Sequence, residues 1–275
     1  MPKGKQTLSV HDPAQSAEVF AAALANVTAL DNEKETVLGQ AWLAGNNELI
    51  TCGHVIGGHL DQLQNLVIKF PASGNRYSVE AIRLHPSFVR QSDQLVKFDA
   101  ALLKIELRPP ELGTPPLSLS FGTPLQAGQE VFAVRYPAHL ERISAAPSPL
   151  LQKGQILGEL RKHDNFHLLH DLALAQGDSG SPILIGNAVV AMHCGDTASL
   201  PGLNLPTTSI RLALWVDALR ELNITGSVEA QTKAPVKKSK RQWLALASTL
   251  VIASVATILV LFALMFFENN GASNN

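Results

Sequence analysis

Residues 175–185 read AQGDSGSPILI, where Ser179 stands between two glycines just before a short apolar run. Glycines around a serine let the backbone make a tight turn, and such a turn points neighbouring N–H groups at one place. A serine hydroxyl is a weak nucleophile, so it needs a nearby base and donors for the oxyanion that it generates. The backbone N–H groups of Gly177 and Ser179 are the candidate donors. The stretch therefore predicts that a histidine and a carboxylate lie elsewhere in the chain.

Two other stretches contain those partners. His54 lies in ITCGHV, residues 50–55, and Asp99 begins the otherwise apolar DAALLKI, residues 99–105. Imidazole takes the serine proton and passes it to the leaving amine, while a carboxylate behind it fixes the tautomer. The α/β-hydrolases place the serine first in the chain, and their G-x-S-x-G motif is interrupted here by Ser181. The predicted catalytic residues are therefore His54, Asp99 and Ser179, in that chain order.

The three stretches resemble the signature blocks of trypsin-like serine peptidases, closest to the bacterial glutamyl-endopeptidase and HtrA types. The resemblance covers roughly residues 25–224 and includes GQAWLA, AGQEVFAVRYPA and VVAMHCG. It implies two six-stranded antiparallel β-barrels with the active site in the cleft between them. His54 and Asp99 would come from the first barrel, and Ser179 from the second.

Composition and patterning agree with an all-β domain. The chain has 275 residues, is 46% hydrophobic and carries a formal net charge of -1. Near-neutral charge gives no reason to expect nucleic acid as a partner. Short apolar runs bounded by turn residues predict strands, at 37–44, 48–55, 65–70, 77–84, 100–107, 129–136, 154–161, 181–185 and 187–194. Residues 1–24 predict a short N-terminal helix, and residues 215–222 predict a helix packed on the outside of the domain.

The C-terminal region predicts a membrane anchor. Residues 243–267 contain no charged side chain, and at about 1.5 Å per residue they would cross a ~30 Å hydrocarbon layer. Basic residues precede this span in the predicted flexible linker 225–242, whereas the polar tail 268–275 has none. The positive-inside rule then places the peptidase domain in the cytoplasm. Because the N-terminus does not resemble an export signal, we expect a single-pass, tail-anchored protein.

The family resemblance also implies a specificity pocket. It would be formed by Ala173, Leu174, His193 and Gly195. Ala173 stands where peptidases selective for lysine or arginine carry an acid, so that selectivity is not expected. His193 matches the histidine with which glutamyl endopeptidases receive an acidic side chain, but Leu174 replaces their small hydroxyl residue. We expect a small or apolar residue before the scissile bond, with His193 as a core residue in the alternative interpretation.

Asp178 raises a question of activation. In peptidases activated by cleavage, this aspartate pairs with the new N-terminus, but no comparable processing site precedes the domain. Asp178 is therefore expected to need another partner.

Cysteine and histidine spacing predicts neither a disulfide framework nor a metal site. Cys52 and Cys194 are the only cysteines, and we interpret them as small packing residues in a reducing compartment. Among the histidines, His59, His163, His167 and His170 lack the Cys-x-x-Cys or His-Glu-x-x-His spacing of zinc sites. No metal and no cofactor are expected.

The sequence thus favours a membrane-anchored serine endopeptidase that acts through an acyl-enzyme on membrane-proximal proteins or peptides. A recruiting protein partner is left open. The alternative is a catalytically silent module that binds extended peptides at the membrane. A third hypothesis, an exported and disulfide-bonded domain, requires the opposite topology.

Overall fold

The structure is a computed structural model that describes residues 13–31, 34–89, 98–106, 113–137, 148–160, 166–196 and 210–226. Most of the predicted linker, the predicted membrane span 243–267 and the polar tail lie outside these residues. Within the described ranges, no helix has both the length and the apolar character needed to cross a membrane.

The first barrel is closed by six antiparallel strands in the order β1-β2-β3-β6-β5-β4. The strands are β1 (Leu24–Asp31), β2 (Lys34–Leu43), β3 (Glu48–Thr51), β4 (Leu66–Phe70), β5 (Asn75–Leu84) and β6 (Ala101–Ile105). Large apolar side chains fill the interior, with Trp42, Ile50, Phe70 and Leu103 almost completely buried. Helix α1 (Pro13–Ala22) leads into β1, in agreement with the predicted N-terminal helix.

The second barrel also has six strands. Its sheet runs in the order β11-β8-β9-β10-β13-β12, and a β11–β12 pairing closes it, while the short β7 adds to β12 in parallel. The strands are β7 (Ser118–Leu119), β8 (Glu130–Arg135), β9 (Leu150–Glu159), β10 (His167–His170), β11 (Pro182–Ile185), β12 (Ala188–Asp196) and β13 (Arg211–Trp215). The predicted all-β class with two six-stranded antiparallel barrels is confirmed.

The main local difference from the sequence prediction concerns His54. The sequence predicts one strand over residues 48–55, but β3 ends at Thr51 and the short helix α2 (Gly53–Ile56) follows. Gly53, the first residue of this helix, packs closely against the Phe88 ring, since a Cβ on Gly53 would lie only 2.5 Å from it. His54 therefore projects from a helical turn rather than from a strand.

A 3-10 helix, Val216–Leu222, follows β13, so the helix predicted over 215–222 exists in the tighter form. One face of this helix is buried, through Val216, Ala218, Leu219 and Leu222, while Arg220 and Glu221 are exposed. The Ala218 carbonyl also accepts a hydrogen bond from His85 Nε2 at 2.9 Å. The segment after the second barrel thus packs against the first barrel and fixes the two together.

A second short 3-10 helix, Leu63–Asn65, lies directly before β4 on the first barrel.

Candidate active site

His54 and Asp99 are in direct contact. His54 Nδ1 lies 2.5 Å from Asp99 Oδ2, and the backbone N–H of His54 donates to Asp99 Oδ1 at 2.8 Å. The carboxylate is 3% exposed and the imidazole 32% exposed. The carboxylate thus fixes the ring through Nδ1, so proton exchange with another group falls to Nε2.

The turn that presents Asp99 has a constrained backbone. Phe98, directly before it, has a φ of +49°, which is unusual for a residue with a bulky side chain. The Phe98 ring stacks on His85 with centroids 4.7 Å apart. His85 also donates its backbone N–H to the Ala100 carbonyl at 2.9 Å. The stacked pair therefore holds the turn, a role for His85 and Phe98 that sequence patterns did not indicate.

Ser179 lies in a tight turn that only glycines permit. Gly177 and Gly180 have φ values of +91° and +95°, in the region that disfavours other residues. A Cβ on Gly180 would lie 1.9 Å from the Gln40 carbonyl oxygen, so no side chain fits there. Within the turn, Ser181 N donates to the Asp178 carbonyl at 3.0 Å.

The serine turn packs against β2 of the first barrel, close to the residue that follows His54. The Ser179 carbonyl accepts a hydrogen bond from Gln40 N in β2 at 2.7 Å. A Cβ on the neighbouring Gly39 would lie 2.8 Å from that carbonyl oxygen and 2.7 Å from Cγ2 of Val55. Because Val55 directly follows His54, the missing side chain of Gly39 lets the two predicted catalytic segments approach each other.

Gln40 strengthens this junction between the barrels. Its buried side chain donates to the Tyr136 carbonyl and accepts hydrogen bonds from Tyr136 N and Ser181 Oγ, both at 3.3 Å. A buried amide with these partners fixes the distance between strands of different barrels. Sequence patterns contain no signal for this role beyond a polar residue in an apolar run.

The partner of Asp178 is Arg135, the last residue of β8. Arg135 Nη1 donates to both carboxylate oxygens, at 3.0 and 2.8 Å. The same carboxylate accepts the Ala175 N–H at 2.7 Å. The two side chains are 11% and 2% exposed, so the pair is largely removed from solvent screening. The Arg135 guanidinium is thus the partner that Asp178 was expected to need. It supplies the positive charge that a newly cleaved N-terminus supplies in peptidases activated by cleavage.

The four residues predicted for the specificity pocket lie on two neighbouring segments. Ala173 is exposed and Leu174 is buried, and both precede the serine turn. His193 and Gly195 lie in β12, where His193 N donates to the Ser181 carbonyl at 2.9 Å. The structure therefore places His193 beside the serine turn, and the specificity pocket itself stays a prediction.

His193 forms a buried pair with His170. Their Nδ1 and Nε2 atoms lie 3.3 Å apart, and the rings meet edge to face. Burial lowers the pKa of His170 to about 3, and burial together with the His170 charge holds the pKa of His193 well below its ordinary value. Both imidazoles are therefore neutral at physiological pH, as expected for core histidines.

A sequence-family model described as "Trypsin-like peptidase domain" matches residues 39–192, more than half of the chain. The chain belongs to this family. The match includes the segments of His54, Asp99 and Ser179 and most of both barrels. A comparison with curated protein sequences gives no significant match.

Solved structures agree with the trypsin-like fold. The scabies mite inactivated protease paralogue S-I1 has 14% identity and a TM-score of 0.56, covering 75% of this chain and 94% of its own. The serine endoprotease from Yersinia pestis has 16% identity and a TM-score of 0.56, covering 78% of this chain and 66% of its own. The scabies mite inactivated paralogue S-D1 has 13% identity and a TM-score of 0.54, covering 74% and 91%. Similarity at these identities establishes the fold, whereas activity depends on the side chains.

Proposed function

We propose that this trypsin-like domain is an active serine endopeptidase that hydrolyses peptide bonds through an acyl-enzyme. The observation that carries the proposal is the direct pairing of His54 with the buried Asp99, next to the glycine-bounded turn of Ser179. Burying a carboxylate costs free energy unless a partner compensates its charge. Here the His54 imidazole is that partner, and the same contact orients the ring for proton transfer.

The proposed reaction uses each of these groups. Ser179 Oγ attacks the scissile carbonyl carbon while its proton passes to His54 Nε2. The carbon–nitrogen bond then breaks, and His54 returns the proton to the departing amine. Water attacks the resulting ester and gives a proton to His54. The bond between the acyl carbon and Ser179 Oγ then breaks, and His54 returns the proton to Ser179 Oγ. Asp99 stabilises the imidazolium present in both steps.

The oxyanion of each tetrahedral intermediate would be held by the backbone N–H groups of Gly177 and Ser179. Their orientation depends on the turn between them, whose central residue is Asp178. Since Arg135 holds the Asp178 carboxylate from within the barrel, the turn needs no newly cleaved N-terminus. We therefore propose that the enzyme is synthesised in its active conformation.

Replacing Arg135 by alanine is expected to lower kcat by about 10²–10³, the usual cost of losing an oxyanion donor. The substitution leaves Asp178 buried without its cation, so it should also destabilise the domain, by about 3–5 kcal/mol. Hydrolysis of a peptide ester and thermal unfolding measure the two effects. Arg135→Lys is the matched control, because it keeps the charge and should recover part of both. An Arg135→Ala enzyme with unchanged kcat would contradict this role.

For specificity, we propose a small or apolar residue before the scissile bond. Ala173 provides no carboxylate for a basic side chain. His193 is held neutral by burial against His170, which disfavours its use as a cation for an acidic one. The pocket therefore selects by size rather than by charge.

We further propose that residues 243–267 anchor the peptidase to a membrane with the domain facing the cytoplasm. Support comes from the uncharged span and from the basic residues before it. A linker of the predicted length has an r.m.s. reach of roughly 20–25 Å. The cleft would then act on proteins close to the membrane or delivered there by a partner.

Deleting residues 231–275 tests the anchored-peptidase proposal. The truncated domain is expected to be released from vesicles and to cleave small peptides with unchanged kcat/KM. Its rate on a membrane-anchored substrate should fall by about 10²–10⁴, because tethering no longer raises the local concentration. The full chain in the same vesicles, assayed on the small peptide, is the control. A folded truncation that cleaves no peptide would show that the C-terminal segment takes part in assembling the active site.

A silent peptide-binding module is the second candidate function. The inactivated protease paralogues among the solved structures favour it, since they show that this fold persists without activity. Such a module would bind extended peptides in the cleft without turnover. It would also leave a serine-directed phosphonate probe unreacted, which separates it from the peptidase.

A further inference from the structure

The fold brings together three potential metal ligands that the mechanism does not use together. Cys52 precedes α2, Asp99 precedes β6 and Cys194 lies in β12. One ligand atom from each, two thiol sulfurs and a carboxylate oxygen, lie within 4.8 Å of one another. The residues are 0%, 2% and 8% exposed. The cluster thus joins residues of both barrels on the Nδ1 side of His54, where Asp99 lies.

We propose that Cys52, Asp99 and Cys194 bind a thiophilic divalent cation such as Zn²⁺ or Cd²⁺, and that its binding inhibits the enzyme. Two thiolates and a carboxylate are a favourable donor set for such ions. With Zn–S near 2.3 Å and Zn–O near 2.1 Å, tetrahedral ligands lie about 3.5–3.8 Å apart. Since the donors lie within 4.8 Å of one another, they need to approach by no more than about 1.3 Å.

The hydrogen bonds of the carboxylate suit a metal site. Asp99 already accepts both the backbone N–H and Nδ1–H of His54, the support that ligating carboxylates normally have. Both thiols donate to backbone carbonyls, Cys52 Sγ to His193 at 3.2 Å and Cys194 Sγ to Met192 at 3.4 Å. An ion that displaces the thiol protons would also replace these two hydrogen bonds, so the existing hydrogen-bond support for a metal site lies on Asp99.

Metal binding would require both thiols to lose their protons. Both cysteines carry thiols in the structure. Burial raises the pKa of the Cys52 thiol well above its ordinary value, and Cys194 and the Asp99 charge raise it further. A divalent cation reverses this balance, because it offsets the negative charges and displaces the thiol protons.

Binding would release the two thiol protons to solvent and involve no redox change. The ion would reach the cluster past Cys194, the most exposed of the three. Asp99 would share electron density with the ion, which weakens its support of the His54 imidazolium. We expect kcat to fall by at least about 10-fold and at most about 10⁴-fold, the loss that follows removal of the aspartate. KM should change little, because the cluster lies behind the imidazole.

The test titrates the full-length protein in detergent with Cd²⁺, following thiolate-to-metal absorbance, and with Zn²⁺, following peptide hydrolysis. The proposal expects one ion per chain, a cadmium–thiolate band, inhibition in parallel and reversal by a chelator. Cys52→Ser and Cys194→Ser should each weaken binding at least about 10-fold. His59→Asn is the control for metal binding by other side chains and should titrate like the wild type.

Absence of the cadmium–thiolate band in folded protein would overturn the site, as would a Cys52–Cys194 disulfide in protein purified without reductant. A band without loss of turnover would contradict the link to His54 and Asp99. The absorbance readout does not depend on catalysis. A protein that binds Cd²⁺ through both thiols yet never hydrolyses peptide would therefore contradict the proposed function while confirming the metal site.

Discussion

The Ser179→Ala and His54→Ala variants are each expected to lose on the order of 10⁶ in kcat, the scale of single knockouts in serine peptidases. Each substitution removes one end of the same proton transfer. Without the hydroxyl there is no nucleophile to form the acyl-enzyme, and without Nε2 the hydroxyl keeps its proton. The double variant should therefore be no slower than either single variant. Steady-state hydrolysis of one activated ester by all three proteins measures this.

Ser181→Ala is the matched control. Ser181 lies in the same turn and is buried, but its hydroxyl donates to Gln40 Oε1 at 3.3 Å. Losing this hydrogen bond should cost about 1 kcal/mol of stability and less than about 10-fold in kcat. If the losses from Ser179→Ala and His54→Ala multiplied in the double variant, the two residues would not act as a unit. A Ser181→Ala enzyme as slow as Ser179→Ala would point to Ser181 as the nucleophile.

Asp99→Asn is expected to lower kcat by about 10⁴, with little change in fold. The amide oxygen of the substituted side chain can still accept the backbone N–H of His54. Its NH₂ group, however, would donate to Nδ1, so the ring proton moves to Nε2. Nε2, the nitrogen proposed to accept the Ser179 proton, is then a donor and no longer a base. In the Asp99→Asn variant, His54 would thus be held in the wrong tautomer and could not accept the Ser179 proton.

The kcat of Asp99→Asn near neutral pH, together with the circular dichroism spectrum, tests this explanation. Glu48→Gln is the control for removing a buried carboxylate from the same barrel. Glu48 is 6% exposed and accepts hydrogen bonds from Thr225, away from His54. We expect it to lose stability and to keep kcat within about 10-fold. An Asp99→Asn enzyme with wild-type kcat would remove Asp99 from the mechanism.

The sequence predicts the barrels because their strands are short apolar runs between turn residues. It misses β1 because Leu24–Ala29 is buried on both faces, so the residues do not alternate as in a half-exposed strand. It also misses β10, which has only two apolar residues between His167 and His170, and β13, which begins at Arg211. It extends β3 through His54 because the apolar run continues past Thr51. Gly53 is the local signal that the strand ends there.

The candidate site is predictable where it depends on local motifs. Ser179, Asp99 and His54 each lie in a recognisable block, and the structure places His54 directly against Asp99. Arg135, Gln40 and the Cys52–Asp99–Cys194 cluster depend on which strands become neighbours. Cys52 and Cys194 belong to different barrels, so no spacing rule relates them. Such long-range pairings are decided by strand register, which a single sequence does not specify.

The most direct measurement is the site of covalent modification by a fluorophosphonate, read by mass spectrometry on the folded full-length protein. The peptidase proposal expects one adduct per chain, on Ser179, formed rapidly in wild type and absent from Ser179→Ala. It also expects much slower labelling of His54→Ala, which keeps the hydroxyl but lacks the base. A folded wild-type protein that takes up no probe, or that carries the adduct on another residue, would contradict the central claim that His54 and Asp99 activate Ser179.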